Sequence, residues 1–192
     1  ATFATRNSGT PALTGTLVGF LAGDGVAGKR ALAVLKLLGL FDRPASAAWL
    51  TALLQAPAIE GLTDDLLGLD EAARNMIYSR LQDAGLLTIQ RDSGHGLQAL
   101  DAHPLLRDYF AQETARQQPA AWRAAHRRLY LYLCEHTQDK PQATLEDLQP
   151  LYQAVAHGCL AGMQQQACDE VYYARIGRRG EAYVVSKLGA FG

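Results

Sequence analysis

The chain is poor in the features that mark secreted, membrane-spanning or strongly charged proteins. It has three cysteines in 192 residues, Cys134, Cys159 and Cys168. Three cannot form a complete set of internal pairs, and reduced thiols of a cytoplasmic protein are the simple reading. Neither sign of charge prevails: 18 Lys and Arg against 19 Asp and Glu leave a formal net charge of −1, with a pI of about 6.6. Nothing global therefore draws the chain to nucleic acid or to an anionic membrane. No apolar run reaches the roughly 18 residues that a bilayer requires; residues 17–22 come nearest and are too short. The N-terminus lacks the basic start of a signal peptide. The 5 histidines share no motif, and no Ser, His and acid arrangement suggests covalent catalysis.

What the chain does have is apolar material. Hydrophobic residues make up 48%, enough for one large domain or two small ones and too much for disorder throughout. Residues 1–27, rich in Gly, Thr and Ala, read as a loosely ordered lead or the tail of a preceding domain. Residues 29–40 carry Leu32, Leu35 and Leu38, widened by Val34, Leu37 and Phe41, at helical spacing, with Gly39 near the stop. Pro44 can occupy a first helical turn, and residues 45–55 place Trp49, Leu50, Leu53 and Leu54 on one face. Residues 59–68 connect to a third helix that Asp70 caps and Gly85 closes. Its buried side is expected to be Ala73, Ile77 and Leu81, with Met76 and Tyr78 beside them.

Residues 86–110 organise everything around them. Leu-Leu-Thr-Ile-Gln-Arg is a short extended run. Asp-Ser-Gly-His-Gly is turn chemistry, with two glycines that tolerate positive φ. Leu-Gln-Ala-Leu-Asp-Ala-His-Pro then returns as a second strand and passes into a helix. Three helices followed by such a hairpin predict a winged helix-turn-helix, with His103 and Pro104 at the seam between wing and helix. Beyond it, residues 104–117 are helical with Leu105, Leu106, Tyr109 and Phe110 inward. Pro119 starts another helix, on which Trp122, His126, Leu129 and Leu133 recur at i, i+4, i+7 and i+11. Pro150 stands at a further helix start, followed by Leu151, Tyr152, Val155 and Cys159. Gly162 breaks it, and residues 164–176 continue with Ala167, Val171, Tyr172 and Tyr173 inward. Two such helices, rich in small residues (Ala154, Gly158, Ala161, Ala167), predict a helical hairpin of the tetratricopeptide kind. The fold class is thus mainly α. The expected division is a lead over 1–27, a winged-helix domain over 28–117 and a helical-hairpin domain over 118–192, truncated at its C-terminus.

Four blocks resemble a known family: Leu-Lys-Leu-Leu-Gly-Leu-Phe-Asp-Arg-Pro-Ala (36–46), Leu-Asp-Ala-His-Pro-Leu-Leu-Arg-Asp-Tyr-Phe (100–110), Ala-His-Arg-Arg-Leu-Tyr (125–130) and Leu-Gln-Pro-Leu-Tyr-Gln-Ala-Val-Ala-His-Gly-Cys (148–159). Together they resemble the segment that follows the ATPase core in bacterial STAND proteins, signal-transducing ATPases related to the NB-ARC and NACHT groups. The resemblance spans roughly residues 30–192 and does not reach 1–27. It implies a winged helix that latches the ADP-bound state, followed by helical repeats that sense a ligand. It also implies a histidine, in a Met-His-Asp-like motif, that contacts the β-phosphate of ADP. Ala102-His103-Pro104 departs from that motif on both sides of the histidine, so His103 alone carries over as the cofactor-binding residue. No cofactor would be held by this segment itself. ADP or ATP would sit mainly in an upstream ATPase core, the first expected partner. The repeats would take a protein or small-molecule ligand, and the intact protein would oligomerise on activation.

Other motifs have plainer accounts. Residues 23–30 fit Gly-x4-Gly-Lys, but Arg30 stands where a Walker loop needs a Ser or Thr hydroxyl for Mg²⁺; a loop leading into the first helix is the better account. Cys134 with His136 and His157 with Cys159 invite a zinc site, yet each pair is i, i+2 on a helix, about 200° apart around the axis. Arg123, His126, Arg127 and Arg128, with Arg116 nearby, form a basic cluster that a solvated face explains. On the third helix Asp70, Glu71 and Asp83 outweigh Arg74 and Arg80, a poor surface for the major groove, and the wing offers Arg91 beside Asp92. Nucleic acid and membrane are accordingly disfavoured as partners.

The reading that results is a non-enzymatic regulatory and sensor-linking segment of a STAND-type ATPase. The alternative is a winged-helix transcription regulator with a helical ligand-binding or dimerisation tail; a minimal P-loop binder using Lys29 is a third. The chain starts at Ala1 rather than Met and closes on Lys-Leu-Gly-Ala-Phe-Gly, and both ends are expected to be cuts. Sequencing the gene upstream of Ala1 is expected to show a strand, Gly-x4-Gly-Lys-Ser/Thr and a later acidic strand end. A start codon directly before Ala1 would leave His103 without a phosphate in cis.

Overall fold

The computed structural model describes residues 24–178. The chain divides into two units, Ala1–Ala121 and Trp122–Gly192. The described residues are mainly helical, with one small three-stranded antiparallel sheet.

Unit 1 opens with α1 (Gly25–Leu38), whose inner face buries Ala31, Val34, Leu35, Leu37 and Leu38. Gly39 is its C-cap. A Cβ there would stand 2.7 Å from the Ala111 amide nitrogen and 2.9 Å from the Phe110 carbonyl carbon. The glycine therefore lets α1 close onto the backbone of α4 (Pro104–Gln117). The helix takes in residues 25–27, which the sequence assigns to the lead. Residues 1–23, most of the expected lead together with Gly23, lie outside the described residues.

Pro44 does not enter a helix. Ala45 and Ser46 form β1, pairing with Leu100 and Ala99. Sheet pairing holds this segment extended, and the next helix, α2 (Ala47–Leu53), starts only after Ser46, whose Oγ accepts the Trp49 N–H at 3.3 Å. Trp49 stacks on Phe41 with ring centroids 5.7 Å apart. The connector that follows is part of the core, since Ile59, Leu62 and Leu66 are buried. Thr63, fully buried, takes the Ile59 N–H on its hydroxyl at 2.7 Å.

Asp70 caps α3 (Glu71–Asp83) by accepting the Ala73 N–H at 2.7 Å. Gly85, at φ 70°, ends it: the Leu86 N–H returns to the Leu81 carbonyl and the Gly85 N–H to that of Gln82, the paired bonds of a left-handed helix stop. Tyr78 and Leu81 are buried, but Met76 is 74% exposed. One residue from Ile77 on a helix is 100° round the axis, which carries Met76 off the narrow buried stripe.

The hairpin is β2 (Leu87–Arg91) and β3 (Leu97–Ala102), with strand order β1-β3-β2. Its turn is built differently from the expectation. The residue at positive φ is His95, at 64°, not a flanking glycine. Asp92 Oδ1 accepts the N–H groups of Gly94 and Gly96, both at 2.9 Å. A Cβ on Gly96 would meet that carboxylate at 2.9 Å, so any larger residue there would push the Asp92 side chain aside. In α4, Phe110 and Thr114 are buried, whereas Leu105, expected inward, is 48% exposed in the first turn.

The boundary between units falls within α5 (Pro119–His136). In unit 2, α5 buries Ala125, His126, Leu129, Tyr130 and Leu133. Its partner α6 (Leu145–Leu160) begins with a reciprocal cap: Thr144 Oγ1 accepts the Asp147 N–H, and the Asp147 carboxylate accepts the Thr144 N–H. That cap starts the helix at Leu145, five residues before Pro150, which consequently lies inside it. Proline in the second turn sacrifices one bond, to the Glu146 carbonyl.

Gly162, at φ 84°, ends α6 with the same paired bonds as Gly85. A short α7 (Gln164–Gln166) then widens into a π-helix (Ala167–Ile176). Its buried residues, Ala167, Val171 and Ile176, are spaced four and then five apart. The wider turn keeps them on one face and leaves Tyr172 and Tyr173 outside, against the expectation for an α-helix. Gly158 permits the crossing: a Cβ there would lie 2.6 Å from Ala167 Cβ and 3.0 Å from the Tyr130 ring.

Gly39→Ala and Gly158→Ala should each cost about 1–3 kcal/mol by overpacking. Urea unfolding followed by fluorescence checks this. Trp49 reports unit 1 and Trp122 unit 2, so each substitution should lower the midpoint seen by its own tryptophan.

Candidate functional site

The site is the seam where β3 hands over to α4. Leu100 and Ala102 on β3 are buried. Strand alternation turns Asp101 the other way, and His103 follows directly after the strand. Asp101 then meets Arg107, one turn into α4, in an ion pair of 2.5 Å whose side chains are 30% and 13% exposed. The pair bridges the end of the strand and the first turn of the helix.

His103 is the N-cap of α4, with φ −53° and ψ 136°. Its Nδ1 accepts the Leu105 N–H at 3.2 Å. Its carbonyl accepts the N–H groups of Leu106 and Arg107 at 2.8 and 3.1 Å. Pro104, the first helical residue, has no N–H. The first-turn amides of α4 are therefore absent or already bonded, and the helix end offers no cradle of free N–H groups to an anion. One donor is left. An Nδ1 that accepts carries no hydrogen, so the neutral ring bears its proton on Nε2, and the side chain is exposed. His103 can hold its helix with one nitrogen and offer a hydrogen bond with the other.

The remaining candidates are dispersed. Gly28, Lys29 and Arg30 lie within α1, and the Gly28 N–H bonds back to the Asp24 carbonyl, so residues 25–30 form helical turns where a loop was expected. On α3, Arg80 pairs with the Asp24 carboxylate. Arg74 lines a groove of ≈ 220 Å³ with Leu50, Leu54, Glu71, Asn75 and Tyr78. In the turn, Arg91 folds back onto the His95 carbonyl at 3.1 Å. Arg116 pairs with Glu113 at 3.1 Å.

In unit 2 the expected basic cluster loses His126, which is wholly buried. Cys134, His136, His157 and Cys159 do not converge. His136 stacks on Tyr132 and bonds the Tyr132 carbonyl at 2.9 Å. Cys159 is exposed. His157 instead faces His126, Nδ1 to Nδ1 at 2.8 Å. That pairing is the feature the sequence reading missed. The signal was present: His126 stands on the apolar stripe of its helix, and His157 lies between the small residues Ala154 and Gly158 on the buried face of its own.

Unit 2 also has a cavity of ≈ 290 Å³ beside the loop after α5, floored by Ala143, Leu148 and Leu151. Its cations are engaged. Arg175 donates to Asp139 and to the carbonyls of Cys134 and Thr137. Arg178 donates to the carbonyls of Lys140 and Pro141, and Lys140 pairs with Asp147 at 2.6 Å. They fasten the loop rather than await a ligand. Among the described residues no group of three or more His, Cys, Asp or Glu could hold a metal ion, and no helix is long and apolar enough to cross a membrane.

No family, no curated protein and no solved structure matches the chain.

His103→Ala should destabilise unit 1 by about 0.5–1 kcal/mol, the value of an exposed N-cap. His103→Asp, whose carboxylate can accept the same N–H, should restore it. Urea midpoints read at Trp49 check both.

Proposed function

We propose that unit 1 is a winged-helix latch of a STAND-type ATPase and that unit 2 is a repeat-like helical hairpin that relays a ligand signal to it. The single observation that carries this reading is His103. It is fixed by its cap at the strand-to-helix seam, on an exposed ring whose Nε2–H is left to donate. The order of elements supports it: α1, β1, α2, α3, then a hairpin whose second strand is central in the sheet. In unit 2, the pairing of α6 with the π-helix across Gly158 and Ala167 supports the repeat-like reading.

In this reading an upstream ATPase core, in the cytoplasm, holds ADP. His103 donates Nε2–H to a phosphate oxygen from the closed position of unit 1. A neutral imidazole gives one such bond, strengthened by the charge on its acceptor. Breaking it when unit 1 moves away makes a two-state switch biased by the nucleotide.

The DNA-binding alternative is disfavoured by the same geometry. Arg80 and Arg91, two of the cations a groove contact would need, are spent on Asp24 and on the His95 carbonyl. Strong, salt-dependent binding of duplex DNA by the chain would reverse that preference.

In the intact protein, His103→Asp should keep the cap and the fold but release labelled ADP about tenfold faster, the worth of one hydrogen bond to a charged group. Unchanged ADP release in a variant of unchanged stability removes His103 from the mechanism.

A further inference from the structure

A groove of ≈ 220 Å³ in unit 1 plays no part in the latch. It lies between α2, which packs on β1 and β3, and α3, which packs on β2 and α1. Glu71, Arg74, Asn75 and Tyr78 line it from α3. Their spacing of i, i+3, i+4 and i+7 makes them one stripe of that helix. Leu50 and Leu54 line it from α2, and Leu97 from the start of β3. One wall is thus largely polar and the other largely apolar. Tyr78, 5% exposed, is the deepest of the polar stripe. Burial raises its hydroxyl above the ordinary value, and the charge of Arg74 opposes that rise, which sets the guanidinium near the hydroxyl. Among the described residues the side chains of Glu71, Arg74 and Asn75 make no hydrogen bond or ion pair, whereas Arg80, further along α3, is spent on Asp24. Residues three apart on a helix have Cβ atoms about 5–6 Å apart, yet Glu71 and Arg74 leave each other free. The wall therefore presents one anion, one cation and one amide, all unspent, beside an apolar surface.

We propose that this groove binds a free apolar α-amino acid, with its carboxylate on Arg74 and Asn75, its ammonium on Glu71 and its side chain against Leu50, Leu54 and Leu97. A guanidinium takes a carboxylate through two parallel hydrogen bonds, and the Asn75 amide supplies a further donor. The ligand's own charges are selected by the wall. A simple carboxylate would gain Arg74 but face the like charge of Glu71, and a simple amine would gain Glu71 but face Arg74. A zwitterion answers both, and two charged groups on one carbon span the spacing of a single helical turn. The apolar wall rewards a side chain that gains by leaving water; a charged side chain would lose its hydration there. The volume is that of about seven waters, room for one such molecule and too little for a peptide. Nothing in this assignment depends on His103, so it stands or falls apart from the latch.

The test is an NMR titration of the full chain with L-leucine, L-methionine and L-phenylalanine, read at the Asn75 side-chain amide and the backbone amides of α2 and α3. At least one of the three should shift these signals saturably below about 10 mM. Two analogues of leucine that each lack one charge, 4-methylpentanoate and 3-methylbutylamine, should bind about tenfold more weakly, the worth of one charge-assisted hydrogen bond. Arg74→Gln should weaken binding of the amino acid by at least the same factor. Glu71→Gln should abolish the preference for leucine over 4-methylpentanoate. No shift from any of the three amino acids overturns the proposal, as does an analogue that binds the parent chain as well as leucine does. Undiminished binding by Arg74→Gln overturns it too. Should Arg74→Gln fail to fold, by its urea midpoint at Trp49, the comparison of leucine with its two analogues on the parent chain decides.

Discussion

Unit 1 depends on one strand being paired on both edges. β3 lies between β1 and β2, so its inward and outward residues cannot exchange without breaking two registers at once. That fixes Leu100 and Ala102 in the core, sends Asp101 outward and delivers His103 at the end of the strand. The Asp101–Arg107 pair then sets the helix against the strand. The Asp92 turn and the left-handed stop at Gly85 deliver the hairpin, and Gly39 lets α4 close on α1. His103 is positioned by the accumulated constraints, and its own Nδ1 bond adds the last.

Unit 2 follows a different logic. Its helices approach closely because Gly158 has no side chain, and the space so gained is filled by Tyr130 and Ala167. Close approach brings two imidazoles together where apolar side chains would be expected. Arg175 and Arg178 tie the end of the π-helix to the loop after α5 through backbone carbonyls, which satisfies acceptors that would otherwise be orphaned at the end of α5.

Much of the fold was legible because it rests on local chemistry. Asp70 as a cap, Gly85 and Gly162 as stops, and the Trp122, His126, Leu129, Leu133 stripe all follow from rules that span a few residues. The errors have a common cause, which is competition from beyond that span. Pro44 reads as a helix start until β1 is claimed by β3. Pro150 reads as a start until Thr144 and Asp147 cap the helix earlier. Tyr172 and Tyr173 read as buried until the turn widens into a π-helix. Of the site, the position of His103 at the seam could be read from Ala-His-Pro after a strand. Its cap could not, because it depends on backbone angles that the sheet imposes. The His126–His157 contact was hidden for the same reason: each ring is ordinary on its own helix, and only the crossing makes them a pair.

The α4 cap carries one more consequence. The same imidazole ring closes the first helical turn and presents the one spare donor, so the two tasks share a single side-chain rotamer. A rotation about the Cα–Cβ bond that withdraws Nε2 from an anion also uncaps the Leu105 amide. Any anion gripped there would thus be felt as resistance to fraying of that turn. Hydrogen exchange at Leu105 would register its arrival without a detectable change in shape.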